Sequence, residues 1–283
     1  MKKKLYDDSF PDLDRDFRRM DKKQIRRTQN IRLIPELRYR RGGKLSYAEW
    51  GHVIGIFQTL IYNHLSSTSN NDILDIGCGT GLLGIASEPY VRNKGSYVGI
   101  DVNERDIDYC RKQYTKWPNH EFIHLDISNA TYANQQEDKL IPWPIDSESK
   151  DLITALSVWT HLKEDHSRFY FDEIYRVLRK NGKAIVTFFY LDEHYNNSIK
   201  LRTKGKGRFH RTNQLKWIFY QSSYGSENWL HPSWVKHPED AIGVTPKGMN
   251  LMTKMFKQVE YHPGNWKEQP GLYFQDVFVF EKE

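Results

Sequence analysis

Ile73-Leu74-Asp75-Ile76-Gly77-Cys78-Gly79-Thr80-Gly81 decides how this chain folds. Three apolar residues and one acid, then glycine at every second position, describe a buried strand that turns sharply into a helix starting near Leu82. Glycine tolerates the positive φ and close backbone approach that such a turn needs. The amides at the start of the following helix present polar hydrogens to a ligand. The stretch has the character of a nucleotide-type cofactor loop.

Outward from this loop, strands alternate with helices. Tyr97-Val98-Gly99-Ile100 ends at Asp101, Phe122-Ile123-His124-Leu125 ends at Asp126, Leu152–Leu156 ends at Ser157, and Lys183–Phe189 is a fifth strand. Asn103 is placed to cap a helix whose first turn holds Glu104 and Asp106, where the helix dipole favours acids. Arg168–Lys180 sets Phe171, Ile174 and Leu178 on one helical face and is expected to stop at a left-handed Asn181-Gly182 cap. Apolar strands separated by helices predict a parallel sheet covered on both faces. Upstream, Ser46-Tyr47-Ala48-Glu49 is a capping box opening a helix that buries Trp50, Val53, Ile54, Phe57, Leu60 and Ile61. Downstream, Thr245-Pro246 starts another helix. Phe256–Tyr261 and Leu272–Phe280, joined through Pro263-Gly264-Asn265, read as an antiparallel pair. The expected organisation is a basic arm and helical cap over 1–66, a cofactor-binding core over 67–190, an aromatic and basic insertion over 191–244, and a helix with the closing strand pair over 245–283.

Composition narrows the function classes. With 38% hydrophobic and 28% charged residues in a chain of 283, the protein is globular and not disordered. It has no apolar run of membrane-spanning length, and its basic first residues lack the apolar stretch of a secretory signal. Cys78 and Cys110 offer neither a disulfide framework nor metal-ligand spacing, so no metal and a reducing, cytoplasmic location are the default expectations. Residues 1–44 carry 15 Lys or Arg against 7 Asp or Glu, whereas the whole chain is only +6. That asymmetry reads either as an arm for RNA, a membrane surface or a phosphorylated substrate, or as a solvated, partly helical arm.

The glycine loop satisfies two patterns. Gly79-Thr80-Gly81-Leu82-Leu83-Gly84 fits the dinucleotide fingerprint, with Asp101 near the distance expected of a ribose-binding acid, so an NAD-dependent oxidoreductase stands open. The competing pattern places acids at the strand ends: Asp75 before the glycines, Asp101 after strand two and Asp126 after strand three. A pyrophosphate prefers bases and bare amides at this rim. Three acids suit a cofactor without phosphate, carrying an ammonium, a sulfonium, ribose hydroxyls and an adenine amine, which is S-adenosylmethionine.

On these residues the chain resembles the class I S-adenosylmethionine-dependent methyltransferases over about residues 67–190. The resemblance implies a doubly wound, Rossmann-like seven-stranded sheet with an antiparallel last strand. It implies that Gly77, Gly79 and Gly81 approach the methionine part of the cofactor; in the same cofactor-binding loop Cys78 reads as a small loop residue, and Asp75 serves either the loop's own amides or, through them, the cofactor's ammonium. Asp101, beside Val102, would hold the ribose hydroxyls, and Asp126-Ile127 would read the adenine edge. Ser157-Val158-Trp159-Thr160-His161-Leu162 would line the cofactor and the substrate mouth. The Arg176–Gly182 stretch resembles the family's helix end, with Asn181 where proline is frequent. A finer resemblance, carried by the Asp126–Asn129–Tyr132 spacing and by Gly271–Asp276, is to the type-11/type-25 methyltransferase domain group, some of which modify sugars or glycan precursors.

Methyl transfer is an in-line displacement from an activated sulfonium, so a protein supplies alignment, a dry pocket and sometimes a base. His161, just beyond strand four, is the candidate base, unless it only packs within its turn. Arg202, Arg208, His210, Arg211, Trp217, Tyr220, Trp229, His231 and Trp234 in the insertion carry groups that stack on or hydrogen-bond an acceptor. Tyr47, Trp50, Trp159, Arg208, His210 and Trp229 are the substrate-contact candidates; an insertion with its own aromatic core is the alternative. A small hydroxylated or glycosyl acceptor is the first expectation. RNA comes second through the basic arm, and a non-catalytic partner subunit third.

Overall fold

The computed structural model describes residues 31–126 and 140–283. Most of the basic arm, together with Ile127, Asn129 and Tyr132, lies outside the described residues.

Seven strands form the central sheet: β1 (Asp72–Ile76), β2 (Ser96–Asp101), β3 (His120–His124), β4 (Lys150–Ala155), β5 (Leu178–Tyr190), β9 (Phe256–His262) and β10 (Asp276–Lys282). Their order is β3-β2-β1-β4-β5-β10-β9. The first five run parallel, while β10 pairs antiparallel with both β5 and β9. This is the Rossmann-like sheet with one reversed strand that the sequence predicts. Three short strands, β6 (Gln221–Ser222), β7 (Trp229–His231) and β8 (Gly243–Val244), extend the carboxyl end of β5 through Phe189 and Gly243.

Helices α1 (Tyr47–His64), α2 (Leu82–Ser87), α3 (Glu104–Gln113), α4 (Glu164–Val177), α5 (Glu193–Ile199) and α6 (Pro246–Thr253) accompany the sheet. Local chemistry sets their starts. Ser46 accepts from the Glu49 amide while Glu49 reaches back to Ser46, and Asn103 and Thr245 accept from Asp106 and Gly248. Trp50, Ile54, Phe57 and Ile61 of α1 pack with α2 and the β1 face, burying the apolar stripe.

Helix α4 corrects one expectation. It starts at Glu164 and ends at Val177, so Asn181-Gly182 is not its cap. Leu178 is already extended and pairs with Lys150, and the register slips before Leu152 meets Lys183. Asn181 does adopt a left-handed φ of 62°, but inside this strand irregularity. The physical reason is Lys282, whose buried ammonium donates to the Leu178 carbonyl at 2.8 Å and takes the place of a helix cap. The predicted last strand likewise starts later, at Asp276, because the chain bends over residues 271–275, where the Tyr273 and Phe274 carbonyls accept from the Asn265 and Trp266 amides.

The insertion has its own core. Leu191, Tyr195, Trp217, Phe219 and Ala241 pack with Phe189 and with Trp266 from beyond α6. Lys267 sits beneath them, fully buried, with its ammonium 2.9 Å from both Asp192 and Asp276.

Candidate active site

At the carboxyl edge of β1, β2 and β4 lies a cavity of about 370 Å³, within the size range of small-molecule sites. Its walls include the glycine loop, Asp101 to Asn103 after β2, Ser157 to Leu162 after β4, Trp50 of α1, and Arg41, Gly42 and Lys44 from the strap before α1.

The glycines are needed for shape. Gly77 has φ +66°, and a Cβ there would run into Val158 Cγ2; Gly81 has φ +87°, and a Cβ there would meet the Tyr114 hydroxyl. The loop thus stays bare where Val158 and Tyr114 press against it. The Gly77 and Cys78 amides both donate to the Ile100 carbonyl, at 2.8 and 3.0 Å. Cys78 is buried, and burial pushes its thiol well above the usual range, so it is an inert small residue of the loop.

The acids have separate tasks. Asp101 accepts the Gly79 amide at 2.7 Å and the Asn103 amide at 2.8 Å, so it fixes the glycine loop to the end of β2. Burial raises its pKa. Asp75 lies deeper, accepting from the Tyr97 hydroxyl at 2.6 Å and the Thr154 hydroxyl at 2.9 Å. Its carboxyl therefore serves neighbouring strands rather than the loop amides, and burial pushes its pKa up to about 7. Asp126 is exposed and is not among the residues lining the cavity.

Ser157 occupies a left-handed conformation, φ 64°, at the end of β4. Its amide donates to Thr187 Oγ1 at 2.7 Å and its hydroxyl accepts from Gln275 at 2.7 Å, while Thr187 donates to the same Gln275 at 2.8 Å. This clamp presents the turn Trp159–His161 to the cavity. His161 is partly buried, and its Nδ1 lies 2.6 Å from the Glu239 carbonyl of the insertion. A carbonyl can only accept, so Nδ1 carries the proton and Nε2 is the basic nitrogen. Burial lowers the pKa of the ring.

The strap was not legible as a cavity wall. Arg41 pairs with Asp106 through two hydrogen bonds, Thr80 donates to the Tyr39 carbonyl at 2.8 Å, and Tyr39 stacks on Tyr109 with centroids 4.4 Å apart. Together these bind the strap over the loop. The Asp106 carboxylate at the first turn of α3 was visible in the sequence; its partner 65 residues earlier was not.

Of the substrate-contact candidates, Trp50 and Trp159 line the cavity. Tyr47, Arg208, His210 and Trp229 do not: Tyr47 donates to the Ile31 carbonyl, His210 is paired with Glu268, and Trp229 is buried with its indole on Ser167. Arg202 is buried too, donating to the carbonyls of Gln214, Trp217 and Trp266. Among the described residues no cluster of His, Cys, Asp and Glu could hold a metal, and no helix is long and apolar enough to cross a membrane.

The cavity fits S-adenosylmethionine. Gly77 and Gly79 of the loop line it, with nothing closer than the Arg41 side chain at 3.8 Å where a Cβ on Gly79 would stand; its rim is acidic at Asp101, and the Arg41 guanidinium in its wall is committed to Asp106. Known proteins agree. Residues 73–182 match a family model described as a methyltransferase domain. A putative S-adenosylmethionine-dependent methyltransferase from Listeria monocytogenes superposes with a TM-score of 0.52 at 14% identity, covering 82% of this chain and 99% of that one. A tRNA (carboxymethyluridine(34)-5-O)-methyltransferase of Macaca fascicularis is 25% identical over 161 residues, 56% of this chain. A demethylmenaquinone methyltransferase of Symbiobacterium thermophilum is 27% identical over 113 residues, 40% of this chain. The chain spans only 20% and 40% of the length of these two curated relatives. The matched segment, about two fifths of the chain, is a methyltransferase domain, and the sheet around it has the fold of the solved Listeria methyltransferase. The chain carries that domain across its glycine loop, strands β1 to β4 and helix α4, and S-adenosylmethionine is the cofactor its cavity fits.

Proposed function

We propose that the protein transfers a methyl group to a hydroxyl, or an amine, of a small acceptor, a sugar or glycan precursor being the class the site suits best. The observation that carries this reading is His161: it lines the cavity beside Ser157 and Val158, with its proton on Nδ1 and its basic nitrogen at Nε2. That is the tautomer a base needs. When bound, S-adenosylmethionine supplies the activated methyl group.

Each wall then has a task. Gly79 leaves room beside the backbone, Asp101 orients hydroxyls, and Trp50, Trp143 and Trp159 exclude water from the reacting end. His161 takes the acceptor proton at Nε2, and the Glu239 carbonyl stabilises the resulting imidazolium through Nδ1–H. Because burial favours the neutral ring, His161 stays ready as a base somewhat below the ordinary histidine pKa of about 6.5.

The test uses extracts of hydroxylated and glycosyl compounds incubated with the protein and isotopically labelled S-adenosylmethionine, followed by mass spectrometry. Labelled O-methyl product is expected, with turnover lowered by about 10²-fold or more in His161→Ala. Unchanged turnover in that variant would dismiss His161 as the base. Label appearing only in added RNA would replace the small-molecule reading by the RNA one.

A further inference from the structure

Residues 200–216 hold seven Lys or Arg and no acid. Within them, Lys206 bridges Asn213 and the Gly207 amide donates to the Thr212 carbonyl at 2.9 Å, so 206–213 is a small hairpin with Arg208 to Arg211 at its tip. The tip is held rigidly. The His210 side chain is almost fully buried, its Nε2 2.6 Å from Glu268 Oε1 and its Nδ1 2.8 Å from Thr212 Oγ1. Glu268 also accepts the Arg208 amide at 3.1 Å. The two arginines that flank this anchor face outward instead: both are exposed, and Arg211 reaches Glu49 at 3.2 Å with 85% of its side chain in water.

The hairpin abuts the cavity through one stretch of chain. Phe274 packs on His210 with ring centroids 5.6 Å apart, the adjacent Gln275 holds Ser157, and Tyr273 faces the Lys44 ammonium at 5.8 Å. Lys44 itself lines the cavity, and Glu49 precedes the lining residue Trp50. A fixed hairpin tip thus places two outward cations beside a mouth that already presents a third. A buried histidine–glutamate pair that immobilises a loop is more than a solvated charge run needs. It suits a surface that must hold an anion at a set distance from the cavity.

We propose that Arg208 and Arg211 form an anion subsite for the acceptor, taking a phosphate or diphosphate group while the hydroxyl to be methylated lies at His161. This rests on the methyl-transfer reading above, and it makes the acceptor a phosphorylated glycosyl compound.

Isothermal titration of the full chain tests both levels. S-adenosylhomocysteine is added first, then inorganic pyrophosphate to the loaded protein, using wild type, Arg208→Ala/Arg211→Ala and the equal-charge control Lys200→Ala/Lys204→Ala. Pyrophosphate should bind wild type and the control alike and lose roughly tenfold or more in affinity in the arginine variant. No pyrophosphate binding, or equal loss in both variants, overturns the subsite while S-adenosylhomocysteine binding leaves the methyl-transfer reading standing. Failure of S-adenosylhomocysteine to bind overturns that reading instead. An oligouridylate that binds far more tightly than pyrophosphate, and weakens equally in both variants, would show a polyanion surface for RNA and also overturn the proposal.

Discussion

Replacing Asp75 by Asn should stabilise the protein, and more so as pH rises. Asp75 is buried under the cavity with the Tyr97 and Thr154 hydroxyls as its partners, and no cation among the described residues pairs with it. Burial raises its pKa from 3.8 to about 7. A carboxyl whose folded pKa lies above its unfolded value contributes stability that is present below the unfolded pKa and lost as pH climbs through the folded one. The window is therefore pH 4 to 7. About 1.36 kcal/mol is lost for each pH unit that separates the unfolded from the folded value. The full loss is then on the order of 4 kcal/mol, of which roughly 2.5 kcal/mol falls between pH 5 and 8. Asn keeps a carbonyl acceptor and adds an amide, and both hydroxyl partners can donate or accept. Urea denaturation of wild type and Asp75→Asn at pH 5 and pH 8 measures the difference directly. The stability of the variant relative to wild type should rise by about 2 to 3 kcal/mol across that range. A relative stability that is the same at both pH values, within about 0.5 kcal/mol, would mean the carboxyl is not held in its neutral form and would refute the reasoning.

Two further outcomes follow from the site. Asp101→Ala removes the acceptor of the Gly79 and Asn103 amides together with the acid proposed to orient the cofactor's hydroxyls, so affinity for S-adenosylhomocysteine should fall by about 10²-fold by calorimetry; unchanged affinity would remove Asp101 from the site. Gly77→Ala forces a Cβ against Val158 at a left-handed φ, and should lower thermal stability by about 1 to 3 kcal/mol and weaken cofactor binding with it; a variant as stable as wild type would show that the turn can open to admit a side chain.

The sheet was legible because strand burial and strand composition coincide. Ile73, Leu74, Ile153 and Ile185 are apolar residues with essentially no exposure, and the caps at Ser46, Asn103 and Thr245 carry their chemistry in adjacent residues. Asp101 meets the glycine loop because a residue ending the strand beside β1 has its carboxylate at that edge. What the sequence hid are partnerships across long separations. Gln275 clamps Ser157 from 118 residues away, Glu239 fixes the His161 tautomer from 78, and Arg41 closes the strap on Asp106 from 65. Asn181 misled because a left-handed asparagine suits a strand irregularity as well as a helix cap. The aromatics of the insertion were ambiguous for a similar reason. Trp217 and Trp229 read the same in sequence whether they meet a ligand or the protein; the structure buries both, Trp217 stacked on Phe189 and Trp229 donating its indole N–H to Ser167.

The central claim is that the cavity between the glycine loop and His161 receives S-adenosylmethionine. Calorimetric titration of the full chain with S-adenosylhomocysteine and, separately, with NAD tests it most directly. Saturable binding of S-adenosylhomocysteine at one site per chain, with no heat from NAD, is the predicted result. Saturable binding of NAD with none of S-adenosylhomocysteine would contradict it.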